Sequence, residues 1–139
     1  MIKHEVNTVF NEGMSFTASV NGHQVLMDTT PEEGGKDSGP SPKRLMLASL
    51  AGCTGIDIVS ILNKMKASFS DFSISTQATL SVDHPKIYDH VKITYKIKLA
   101  EEDKLKMIRA VELSKDKYCG VFAMFSRFAK MDTEIDYLP

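Results

Sequence analysis

Two side chains in this sequence can act as soft nucleophiles, Cys53 and Cys119. A thiolate attacks oxygen or sulfur far better than a thiol does, so what each cysteine can do depends on what sets its pKa. Cys53 closes the run Leu45-Met46-Leu47-Ala48-Ser49-Leu50-Ala51-Gly52-Cys53, which reads as the middle of an apolar helix. On that ground alone it reads first as a buried core residue. Cys119 is expected in the first turn of a later helix, where unpaired N–H groups and the helix dipole favour a thiolate. It reads equally as a core residue beside Phe122. Their spacing carries no information about bonding, since a disulfide needs Cα atoms within about 7 Å, which only the fold can supply.

Several ionisable groups could bear on such a thiol. Asp57 falls one helical turn after Cys53, on the same face. A carboxylate there raises a neighbouring thiol pKa unless it orients a cation, and it could equally bond a serine or the backbone. Lys43 and Arg44 open the same helix as solvated first-turn cations. His23 opens a strand after a hairpin and reads as a surface histidine, although imidazole is the natural thiol partner near neutral pH. Glu32 and Glu33 lie in a long loop that could wall a site. Other chemistries find little support. There is no Cys-x-x-Cys, the four histidines show no metal-ligand spacing, and no phosphate-binding glycine loop follows a strand. No metal and no cofactor are expected.

The elements that must position these groups follow from periodicity. Ile2, Val6 and Phe10 share one parity. Met14, Phe16, Ala18 and Val20 alternate with polar residues, and Asn21-Gly22 is a two-residue hairpin signal. A three-stranded meander ending near Asp28 follows. Residues 29–40, with three glycines and two prolines, read as irregular loop. Ser41-Pro42 starts a helix predicted to reach about Ala67 and to be buried on most sides. Gly52 and Gly55 flank Cys53, where helix glycines allow a close approach by a substrate or a second helix. Two long antiparallel strands come next, with Phe72 to Val82 and Val91 to Leu99 each burying one face. A helix over about 101–114 should turn Leu105, Ile108 and Val111 inward. A second helix starts near Ser114–Asp116, and Thr133, Ile135 and Tyr137 form a closing strand. The fold class is α+β, in one domain over residues 1–139.

Composition sets outer bounds. Hydrophobic residues make up 42% and charged residues 25% of the chain, as in an ordinary globular protein. A net charge of −1 offers no basic excess for nucleic acid or anionic lipid. No stretch reads as long and apolar enough to span a bilayer, and the N-terminus lacks the apolar run of a signal peptide. These features point to the cytoplasm, where two cysteines are more plausibly redox-active or buried than permanently bonded.

The segment Gly39-Pro40-Ser41-Pro42 followed by Leu45–Thr54 resembles the nucleophile helix of the OsmC/Ohr family. Tyr118-Cys119-Gly120-Val121 resembles that family's second-cysteine segment. Gly22–Asp28, Ile58–Leu62 and Ala110–Ser114 are similar to its YhfA-like branch. The resemblance spans essentially the whole chain. It implies an intertwined α+β homodimer with sites at the subunit interface. It also implies a peroxidase in which Cys53 attacks an organic hydroperoxide, Cys119 resolves the sulfenic acid as a disulfide, and a dithiol restores both. A non-catalytic dimer that binds a small hydrophobic ligand, or a redox sensor, is the alternative on the same fold. Studied members activate the first thiol with an Arg in the N-terminal strands and a Glu ten residues before the cysteine. Here position 43 is Lys, position 44 is Arg, and no Arg precedes it. On one straight helix those cations stand roughly 15 Å from Cys53. They reach it only if the chain folds back before the helix, or from the other subunit.

Overall fold

A computed structural model describes residues Met1–Pro139. The chain divides into two compact units, Met1–Met46 and Leu47–Pro139.

In the first unit, β1 (Asn7–Phe10), β2 (Phe16–Val20) and β3 (His23–Met27) form an antiparallel meander. Asn21 and Gly22 both have positive φ, 36° and 87°, as a type I′ hairpin turn requires. Ile2 and Val6, expected to share a strand face with Phe10, lie before β1 instead. The 29–40 segment is not wholly irregular: Pro31–Glu33 make one 3₁₀ turn closed by Gly34. The segment is organised by Asp28, which is almost fully buried. Its carboxylate accepts the backbone N–H groups of Thr29 (2.7 Å), Lys36 (3.3 Å) and Ser38 (3.1 Å), and the Ser38 hydroxyl (2.6 Å). These donors, the Ser38 hydroxyl foremost, pull the Asp28 pKa down to about 2. Gly35 is needed for this wrap, because a Cβ there would meet the Thr29 carbonyl oxygen at 2.1 Å.

Helix α1 (Pro42–Lys64) runs on into the second unit. It stops three residues short of the expected end, in a Schellman motif. The Ala67 N–H donates to the Leu62 carbonyl and the Lys66 N–H to that of Asn63, with Lys66 left-handed at φ 58°. The helix is not buried on most sides. Leu50, Thr54, Ile58 and Leu62, four residues apart, form its one buried stripe, whereas Ile56 is 74% exposed. By length and composition alone α1 could cross a membrane, contrary to the sequence reading. In the second unit its stripe instead joins the hydrophobic core.

The second sheet has the order β4 (Phe69–Leu80), β5 (Tyr88–Leu99), β6 (Lys130–Tyr137). β5 is central, antiparallel to β4 and parallel to β6. Val91, Ile93, Tyr95 and Ile97 have no exposed surface, and the opposite face is lined with paired charges such as Lys92–Glu134 at 2.9 Å. Between β5 and β6 run a 3₁₀ turn (Glu101–Asp103), α2 (Lys104–Leu113), a π-helical turn (Ser114–Tyr118) and α3 (Gly120–Phe125). The inward face of α2 is Met107, Ala110 and Val111. Leu105 and Ile108, expected inside, are 77% and 40% exposed. The break between the helices also lies later than expected, at Cys119, whose φ and ψ of −83° and 100° are extended.

Candidate active site

The π-turn determines where the second cysteine sits. One extra residue in the turn makes the Cys119 N–H donate to the Ser114 carbonyl, at 2.8 Å. Cys119 thereby becomes the N-cap of α3 rather than a first-turn residue. Its Sγ accepts the Phe122 N–H at 3.3 Å. Cys119 is 3% exposed and belongs to the core of the second unit, and Cys53 packs partly buried against the same core.

Both thiols are free, and Cys53 is near enough to Cys119 to raise its pKa. Burial pushes the Cys119 thiol up, and Cys53 raises it further. The Phe122 N–H pulls the other way and loses, and the result is a pKa of about 12. The expectation of a dipole-stabilised thiolate at Cys119 is therefore reversed. One N–H from a six-residue helix cannot offset desolvation and the neighbouring Cys53.

A buried polar chain runs beside the pair. Tyr95 Oη lies 2.9 Å from Thr54 Oγ1, Thr54 Oγ1 lies 2.8 Å from Ser114 Oγ, and Ser114 donates to Asp57 Oδ2 at 3.0 Å. A carboxylate oxygen accepts and each hydroxyl has one proton, so the direction is set: Tyr95 to Thr54 to Ser114 to Asp57. Burial, opposed by the Thr54 hydroxyl and helped by Cys119 and Asp57, raises the Tyr95 pKa to about 12. Asp57, Ser60 and Lys64 of α1, with Leu113 and Tyr118, line a cavity of about 330 Å³ next to this chain.

The other residues singled out in the sequence belong to other segments. Pro42–Lys64 is one uninterrupted helix, so nine or ten residues of rise hold Lys43 and Arg44 roughly 15 Å from Cys53 in the same chain. Arg44 donates to the Ser41 hydroxyl at 3.4 Å. His23 begins β3, exposed, in the first unit. Glu33 accepts from the Thr29 hydroxyl at 2.7 Å. A Cβ at Gly55 would meet the Ile74 side chain of β4 at 3.0 Å. No group of three or more His, Cys, Asp or Glu side chains is gathered as a metal site. Thr54, Tyr95 and Ser114 were not singled out. A hydroxyl on an otherwise inward-facing stripe, as at Thr54 and Tyr95, was the available signal, because a buried hydroxyl needs a partner.

Residues 35–134 match the family of OsmC-like proteins. Protein YhfA of Escherichia coli strain K12 is 32% identical over 117 residues, covering 84% of each chain. The crystal structure of a hypothetical protein from Aquifex aeolicus VF5 superposes with a TM-score of 0.85 at 26% identity, over 99% of this chain and 98% of that one. An organic hydroperoxide resistance protein from Elizabethkingia anophelis shares the fold, with a TM-score of 0.72 at 11% identity over 99% of this chain and 98% of that one. With most of its length matched by the family and its two cysteines brought together by the fold, this chain belongs to the OsmC-like proteins, and YhfA is among its relatives.

Proposed function

We propose that the protein is a thiol-dependent peroxidase for organic hydroperoxides, with Cys53 as attacking sulfur and Cys119 as resolving sulfur. The observation that carries this reading is that Cys53 packs against the same buried core as Cys119, near enough to raise its pKa. The Cys53 sulfur attacks the terminal oxygen of R–O–OH. The O–O bond breaks, ROH leaves with a proton, and Cys53 becomes a sulfenic acid. Cys119 then forms an S–S bond as the S–O bond breaks, and its proton leaves with the hydroxyl as water. A dithiol reduces the disulfide and is itself oxidised to a disulfide. The apolar surroundings of Cys53 suit a substrate with a hydrocarbon body.

The working form in this reading is a cytoplasmic homodimer. An apolar groove of about 740 Å³ along α1 and β4, which includes Gly52, Ile56 and Phe72, supports a second copy packing there. Val9, Phe10, Met14 and Phe16 are likewise exposed on the first unit, and a three-stranded sheet with so much open apolar surface calls for a cover. In such a dimer Lys43 or Arg44 could serve the Cys53 of the other copy.

The test is peroxide consumption with a dithiol by purified wild type and Cys53→Ser. Loss of consumption in the variant is expected. Equal consumption would eliminate the peroxidase and leave the ligand-binding dimer.

A further inference from the structure

We propose that Asp57, acting through Ser114, is the positioning residue that makes Cys119 the second of the two sulfurs to react and leaves Cys53 as the first. This deepens, and rests on, the peroxidase reading. Two neighbouring thiols are chemically alike until their surroundings distinguish them. Burial sets much of the distinction, and one carboxylate placed a helical turn beyond Cys53 adds to it. Asp57 accepts the Ser114 hydroxyl at 3.0 Å, and the carbonyl of the same serine accepts the Cys119 N–H at 2.8 Å. The carboxylate is thus two hydrogen bonds from Cys119, and it anchors the π-turn that presents that residue.

The groups that face Cys119 come from each neighbouring element. α1 contributes Cys53 and Asp57, both of which oppose an anion at Cys119, and α3 contributes the Phe122 N–H, which favours one. β5 contributes Tyr95, whose phenol is held protonated in part by Cys119 and Asp57. The lysines of the π-turn are engaged elsewhere, Lys115 on the Thr133 hydroxyl at 3.1 Å and Lys117 over the Tyr118 ring at 5.2 Å. Lys64 shares the cavity wall with Asp57 and is the nearest cation the cavity supplies. These lysines are therefore not aimed at Cys119, and the Asp57 charge adds to the burial that opposes its ionisation.

A sequence of events follows. Burial, Cys53 and Asp57 together hold Cys119 neutral, so it competes poorly for peroxide. Oxidation of Cys53 to the sulfenic acid replaces the thiol that helped to hold it so. Cys119 is then freer to condense, with S–S formed, S–O broken and water released. The order of reaction is built into the site without a separate base for Cys119.

The experiment uses a single-thiol background. In Cys53→Ser, iodoacetamide modifies only Cys119, and mass spectrometry gives its rate at a fixed, mildly alkaline pH. Asp57→Asn keeps an acceptor oxygen for Ser114 and removes the charge. Cys119 should react about threefold faster or more in the double variant, the change that half a pKa unit produces. An equal or slower rate overturns the proposal. Because no peroxide is present, this result is separable from the peroxidase test. If the double variant fails to fold, Ser114→Ala in the Cys53→Ser background serves in its place. Iodoacetamide should again modify Cys119 faster than in Cys53→Ser alone, and an equal or slower rate overturns the proposal.

Discussion

Cys53, from the middle of α1, packs against the core that holds Cys119, at the mouth of α3, and raises its pKa. The contact joins an element whose buried stripe is set by helical periodicity to a residue placed by one extra residue in a π-turn.

That proximity leads to a defined product after one equivalent of an organic hydroperoxide. Wild type should yield the Cys53–Cys119 disulfide by peptide mapping. Cys119→Ser should stop at the Cys53 sulfenic acid, trapped by dimedone, and pass on to sulfinic acid with excess peroxide. A disulfide-free wild-type protein would remove Cys119 as the resolving sulfur.

The raised pKa of Cys119 has a consequence for folding. The thiol titrates near 9.0 without these surroundings and at about 12 in the fold. Its neutral form is the one the fold accommodates, so its contribution is intact below pH 9.0 and is lost as pH climbs toward 12. Tyr95, displaced from 10.0 to about 12, acts in the same direction. Melting temperature measured across this range should fall, and Cys119→Ala should blunt the fall. A variant with the same alkaline slope as wild type would count against the burial assigned to this thiol.

Asp28 has the opposite sign. Its pKa is depressed from 3.8 to about 2, so its contribution is present above pH 3.8 and lost as pH falls toward 2. Limited proteolysis of the 29–40 segment in acid should rise over that window, and Asp28→Ala should be cut readily at neutral pH. Gly35→Ala should mimic it, because its Cβ would strike the Thr29 carbonyl, at a cost of roughly 1–3 kcal/mol.

The rotated face of α2 can be checked against α1 by denaturation in urea. Leu62→Ala, at a position with no exposed surface, should cost about 2–5 kcal/mol. Leu105→Ala, 77% exposed, should change stability by no more than about 0.5 kcal/mol in one chain. A large loss at Leu105 would mean that this face is covered in the assembly.

Local patterns carried much of the fold. Alternation specified the meander and the β4–β5 pair, Asn21-Gly22 its hairpin, Pro42 the start of α1, and the segments around the cysteines the family. These are short-range properties, since side-chain period and turn dihedrals depend on residues a few positions apart. The face of α2 was not legible, because Leu105-Ile108-Val111 and Met107-Ala110-Val111 are both apolar stripes. The second won in a fold where its next member, Ser114, is paired with Thr54 and Asp57. The apolar run of α1 likewise could not show which sides stay open. Above all, residue types alone determined that two thiols exist and that Asp57 shares a face with Cys53. Only the tertiary structure decided that the thiols come near one another, that Ser114 and Tyr95 lie beside them, and that Cys119 is held protonated. Contact, desolvation and the field of a neighbouring charge arise between elements distant in the chain, and packing alone sets them.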